Sequence, residues 1–198
     1  MKSTNEQALN PFADYFNHSS QGCTVTFTDL GYTITTHKAI KKGEEVYISY
    51  GNHSNDFLLA EYGFIMDDNQ WDEITLDDYI LPKLDDKQKE HLKEARVLGK
   101  YVLDKEMVCH RTQIALRMLI LPLGKWNRFV NGNDDGEKDQ PAIDEYLKGI
   151  LDEYRQDVND KLEEVKALDG GMKCQRETLR RRWEQIDLLL QNALDRIR

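Results

Sequence analysis

The chain has 198 residues, 39% hydrophobic and 32% charged, which is the composition of one large or two small globular domains with a strongly charged, helical character. A net charge of −9 argues against a chain-wide nucleic-acid footprint; it suits a basic partner such as a lysine-rich protein segment, or simply solubility. Cys23, Cys109 and Cys174 lie far apart with no C-x-x-C spacing, which speaks against a disulfide framework or a cysteine-rich zinc site and fits a reducing compartment.

Before about Leu84, β signals dominate. "TVTFTD" alternates Thr with Val25 and Phe27, Asp29–Gly31 is turn-like, and "YTITT" resumes the alternation. Residues 24–36 therefore predict a β-hairpin. Lys41-Lys42-Gly43 predicts a turn, followed by a strand over Glu45–Tyr50. In "SNDFLLAEYGFI", Ser54 or Asn55 caps a short helix that Gly63 stops.

From Asp85 on, the period is helical. The stretch 85–104 predicts an amphipathic helix with a break near Gly99, and 105–122 a more buried one ended by Pro122. Residues 130–140 read as a flexible acidic linker. A long helix follows with a stripe through Ile143, Leu147, Ile150, Tyr154, Val158 and Val165, and Gly170-Gly171 separates it from a return helix. Residues 139–169 carry ten acidic and four basic side chains, net −6, while 173–198 carry seven basic and four acidic, net +3. Such opposition on antiparallel neighbours reads first as a structural device. The run Arg180–Arg182 then reads as a solvated face or a bridge to the acidic helix, and nucleic acid as an improbable partner.

Familiar catalytic and metal patterns are missing. The five histidines show no HExxH or H-x₃₋₅-H spacing, there is no G-x-S-x-G, and neither a P-loop nor G-x-G-x-x-G occurs. No metal site is expected. "MKSTNEQALN" has no apolar signal-peptide core, and the most apolar window, Ile114–Leu123, contains Arg117 and is too short to span a bilayer. A cytoplasmic or nuclear protein without a membrane segment is expected.

Three linked segments, "PFADYFNHS" (Pro11–Ser19), "KKGEEVYISYG" (Lys41–Gly51) and "SNDFLLAEYGF" (Ser54–Phe64), resemble in order and spacing the C-terminal half of a SET domain. The likeness is to the Rubisco large-subunit lysine methyltransferase subfamily. It implies an α+β fold: a partial SET β-fold of short antiparallel strands with threaded pseudoknot segments over residues 1–84, then an all-α substrate-binding-like domain over 85–198. It implies a protein-lysine N-methyltransferase that uses S-adenosyl-L-methionine and acts on a non-histone protein, such as a ribosomal or translation-associated one.

By the same resemblance, Tyr50 is the catalytic tyrosine, and Asn17 and His18 bind the donor partly through backbone groups. Asp14 lines the donor site, although an acid before a turn also reads as a cap. Tyr62 walls the lysine channel and Phe64 packs on the donor; both also read as plain hydrophobic anchors around Gly63. The family's first SET strands and their glycine-containing donor loop are not found ahead of Pro11. A chain weakly active or inactive by itself is therefore expected. The alternative is a catalytically inactive SET remnant that serves as a protein-binding module. Methylation of another side chain, such as histidine, is a third possibility.

Overall fold

A computed structural model describes residues 12–28 and 31–197. The chain divides into two compact units, one up to His53 and one from Ser54 onward.

In the first unit, a 3-10 turn at Ala13–Tyr15 leads into β1 (His18–Thr28), which pairs antiparallel with β2 (Gly31–Thr35). The register runs from Thr24 opposite Thr35 to Thr28 opposite Gly31, as the alternation of Thr with apolar residues predicts. Phe27 and Tyr32 face each other across the ladder, ring centroids 4.8 Å apart. Asp29 and Leu30, two of the three residues of the expected turn, lie outside the described residues. The Lys41–Gly43 turn is present, closed by the Glu44 N–H on the Lys41 carbonyl at 3.1 Å. The strand expected over Glu45–Tyr50 reduces to bridges at Ile48, which is flanked by two parts of β1 rather than by a long ladder.

The second unit begins with α1 (Asn55–Tyr62), capped by the Ser54 hydroxyl, which accepts from the Phe57 N–H, and ended by Gly63 at φ +79°. Then come β3 (Glu73–Thr75), α2 (Asp77–Ile80), a 3-10 turn at Leu81–Lys83, α3 (Asp86–Glu94) and β4 (Val102–Asp104). The helices α4 (His110–Ile120), α5 (Leu123–Val130), α6 (Gln140–Lys166) and α7 (Lys173–Arg196) complete it.

The single helix expected over 85–104 is thus a helix followed by a strand. Arg96, Gly99 and Lys100 all take left-handed backbone angles (φ +59°, +73° and +59°), which ends the helical path. The Asp77 carboxylate accepts the Lys100 and Tyr101 N–H groups at 2.9 and 2.7 Å, so the turn replaces its lost helical hydrogen bonds. β4 then pairs antiparallel with β3, Ile74 opposite Leu103. The helix expected over 105–122 starts only at His110, because residues 104–108 fold back on β4. Pro122 separates two helices, closing α4 and opening α5.

The core of this unit gathers Ile74, Leu76 and Ile80 with Leu116, Leu147 and Leu190, among others. Each such side chain, fully buried, contributes about 1.5–3 kcal/mol of hydrophobic free energy. Residues 54–84 therefore pack with the helices, although the sequence changes character only near Leu84. Arg155 and Asp187 join α6 to α7 at 2.7 Å. The acidic stretch before α6 is held by the buried Arg117, which donates to the Gln140 side-chain oxygen at 2.6 Å and lies over the Phe129 ring at 4.1 Å.

Candidate active site

In the first unit the chain threads through itself. The Ile48 N–H donates to the Asn17 carbonyl at 3.0 Å. On the other side, the Cys23 N–H donates to the Tyr47 carbonyl at 2.7 Å and the Ser49 N–H to the Cys23 carbonyl at 3.3 Å. Residues 47–49 therefore pass between the start and the middle of β1. Gly22 makes this possible: a Cβ there would sit 2.7 Å from the Ile48 carbonyl oxygen and 2.8 Å from its Cα. Both Cys23 and Ile48 are buried at the crossing.

The crossing fixes the two motif residues. The Tyr50 N–H donates to His18 Nδ1 at 3.1 Å, and the Tyr50 hydroxyl donates to the Phe16 carbonyl at 2.7 Å. The two rings lie 5.0 Å apart. Because a backbone N–H can only donate, Nδ1 must carry a lone pair, so the imidazole is neutral with its proton on Nε2. Burial lowers the His18 pKa below its ordinary value, against a hydrogen bond with the Ile48 backbone, and His53 lowers it further. His53 in turn sits 2.9 Å from the Tyr50 carbonyl. The Asn17 amide donates to Glu45 at 2.6 Å, and the Tyr47 hydroxyl to the other oxygen of the same carboxylate at 2.7 Å. These two bonds hold Glu45 below the usual carboxylate range. The structure thus gathers Asn17, His18 and Tyr50 into one cluster. Asp14 lies exposed in the 3-10 turn just before it.

Tyr62 and Phe64 belong to the second unit, on either side of Gly63, with ring centroids 6.3 Å apart. The segment that carries them is anchored at its start by Asn55, which is buried. Its amide donates to the Met66 carbonyl and to Gln185, both at 2.9 Å, and its carbonyl accepts from the Met66 N–H at 3.0 Å. Arg182, on α7, donates to Asp56 at 2.6 Å and to Asp72 at 2.7 Å. Arg181 pairs with Asp67 in the same segment. The basic run therefore neither points to solvent as a block nor reaches the acidic helix α6. Arg180 pairs within α7, and its two neighbours hold the motif segment.

Sequence reasoning missed this role for Arg182, although a signal was present. Position 182 is three residues after Leu179 and four before Ile186, on the apolar face of the return helix. A charge there is expected to be buried and paired. Among the described residues, no cluster of His, Cys, Asp and Glu is arranged to hold a metal ion.

Comparison with known proteins places this arrangement. The family described as "Ribosomal lysine N-methyltransferase 2 C-terminal domain" matches residues 72–196. The chain belongs to that family. Its family domain is preceded by a SET-domain match over residues 2–51. Among curated family relatives, Ribosomal lysine N-methyltransferase set11 of Schizosaccharomyces pombe is 31% identical over 176 residues, 82% of this chain and 46% of that protein. Ribosomal lysine N-methyltransferase 2 of Saccharomyces cerevisiae is 31% identical over 137 residues, 65% of this chain and 29% of that protein. The chain thus spans less than half the length of these two relatives. A solved structure of Rubisco LSMT, bound to sinefungin and monomethyllysine, superposes over 96% of this chain and 49% of its own, with a TM-score of 0.57 at 18% identity. The fold is accordingly α+β, a SET-type β region followed by a helical domain of this family.

Proposed function

We propose that this chain serves an S-adenosyl-L-methionine-dependent protein-lysine N-methyltransferase acting on a ribosomal or translation-associated protein. The observation that carries the reading is the threaded crossing, which sets His18 against Tyr50 within a SET-domain match. The named activities of the two fungal relatives support it. The cytoplasm or nucleus, where ribosomal proteins are made and assembled, is the compartment this reading implies. No nucleic-acid or membrane partner is part of it.

The residues present suit such a donor. A neutral imidazole at His18 places no positive charge beside a sulfonium; by the family resemblance, Tyr62 and Phe64 would add the electron-rich aromatic faces that a cation prefers. When bound, S-adenosylmethionine supplies a methyl group open to in-line displacement by an amine. By the family resemblance, Asn17 and His18 would hold the donor, Asp14 would line its site and Phe64 would pack against it. Tyr62 walls the channel for the lysine stem, whose apolar surroundings favour the uncharged amine. The Tyr50 hydroxyl aligns that amine. The enzyme's contribution is position more than covalent chemistry.

Two measurements test this. In the whole enzyme that this chain serves, calorimetry is expected to detect S-adenosylmethionine binding, and a tritium-labelled donor is expected to mark lysine in isolated ribosomal proteins. Donor binding without any labelled lysine would remove the substrate assignment; no binding at all would remove the whole reading.

A further inference from the structure

Away from the motif residues, the second unit carries a groove of about 440 Å³ between α6, the end of α4 and the 3-10 turn at Leu81–Lys83. Ile120, Ala142 and Ile150 give it apolar surface, and Glu145, Tyr146 and Glu153 stand along α6 with Gly149 between them.

We propose that this groove binds an extended basic segment of the protein substrate, with the pattern basic–x–aliphatic–x–basic. The identity of the partner rests on the function proposed above; the binding itself does not. Glu145, Gly149 and Glu153 follow one another at four-residue steps. The two acids are thus about 12 Å apart along the helix axis, with the glycine midway. In an extended segment, residues i and i+4 lie about 13 Å apart on the same side, and i+2 points the same way between them. Basic side chains at the two ends then reach Glu145 and Glu153 while the middle one enters at Gly149.

Gly149 is the telling residue. Glycine inside a helix weakens it, yet nothing lies within 4 Å of where a Cβ would stand. No packing neighbour demands the glycine; what it leaves is room in the groove. The charges agree. Residues 139–169 carry a net −6. Glu153 is held at 2.7 Å by Lys83, and Glu145 has Lys148 at 3.8 Å, with these side chains partly or largely exposed. Exposed pairs of this kind are weak, so incoming basic groups can replace both lysines. Tyr146 adds an aromatic face for a lysine or arginine stem.

The test is a nuclear magnetic resonance titration of the whole chain, with no methyl donor present. The probe is an acetylated, amidated heptapeptide with lysine at its second and sixth residues and leucine at its fourth. Shifts are expected at the amides of Tyr146, Gly149 and Ile150. Gly149→Leu fills the gap and is expected to weaken binding about tenfold or more while raising the melting temperature, since leucine is the better helix former. Glu145→Gln combined with Glu153→Gln is expected to weaken binding and flatten its salt dependence. Unshifted amides, unchanged affinity in Gly149→Leu, or sedimentation showing a second copy of the chain seated in the groove would each overturn the proposal. Since the donor is absent, failure of methyl transfer and failure of peptide binding are read separately.

Discussion

Arg182 on α7 and Asp72, in the loop before β3, form an ion pair at 2.7 Å in which the side chains are only 2% and 5% exposed. Burial disfavours the charge on Arg182, but the carboxylates of Asp56 and Asp72 more than offset it and hold the guanidinium charged. Removing one partner strands the other in a poorly solvated place. Arg182→Ala is therefore expected to cost about 3–5 kcal/mol, read as a lowered urea midpoint by tryptophan fluorescence. Asp56→Ala is expected to cost far less, because that carboxylate is 52% exposed. Equal losses from the two variants would contradict this account.

Gly22 is expected to be intolerant of any side chain. Its missing Cβ is where the Ile48 backbone passes. Gly22→Ala should destabilise the crossing by roughly 1–3 kcal/mol, the usual cost of overpacking. Hydrogen exchange at the Ile48 and Cys23 amides is the direct measure, and faster exchange at both is the expected outcome. Unchanged protection would show that the crossing can relax.

His18 gives the crossing a pH dependence whose sign follows from its lowered pKa. The folded state favours the neutral ring, so protonation favours opening. Stability from this group is complete above the ordinary value of 6.5 and is lost as pH falls from there through the lower folded pKa. The His18 ring resonances are expected to titrate below 6.5, and Tyr50 amide exchange to accelerate over the same interval. A midpoint above 6.5 would show that the folded state favours the protonated ring and would reverse the sign of this pH dependence.

Tyr50→Phe separates folding from function. The lost hydrogen bond to the Phe16 carbonyl is expected to cost about 1 kcal/mol. In the whole enzyme, under the proposed mechanism, methyl transfer is expected to fall on the order of a hundredfold, because the amine loses its alignment. Calorimetric donor affinity should stay nearly unchanged. A variant that kept full transfer would take Tyr50 out of the chemistry.

Legibility of the sequence varied with the range of the interactions involved. The hairpin, the Ser54 cap, the Gly63 stop and the two long C-terminal helices all followed from local chemistry: alternation, capping hydroxyls, and apolar stripes. The strand β4 did not, because its partner β3 is nearly thirty residues away and the intervening residues carry an ordinary helical pattern until Arg96 and Lys100 turn left-handed. The site divides the same way. Asn17, His18 and Tyr50 stood out as motif residues, but their bonding through a threaded segment is a long-range fact. Arg182 was hidden by its neighbours, since three consecutive arginines resemble a surface run even when helical periodicity turns one of them inward.

The Asn55 anchor bears on how the chain emerges during synthesis. Asn55 and Gln185 are separated by 130 positions, and Asp56 and Arg182 by 126. At about 5–20 residues per second, the motif helix waits on the order of 6–26 s for the helix that locks it. Through that interval Asp56 and Asp72 are solvated acids without their arginine, and the "EYGF" aromatics sit on an unsecured segment. Completion of α7 is therefore the event that fixes this segment, so a stall or cleavage before residue 182 yields a chain with the motif present in sequence and unanchored in space.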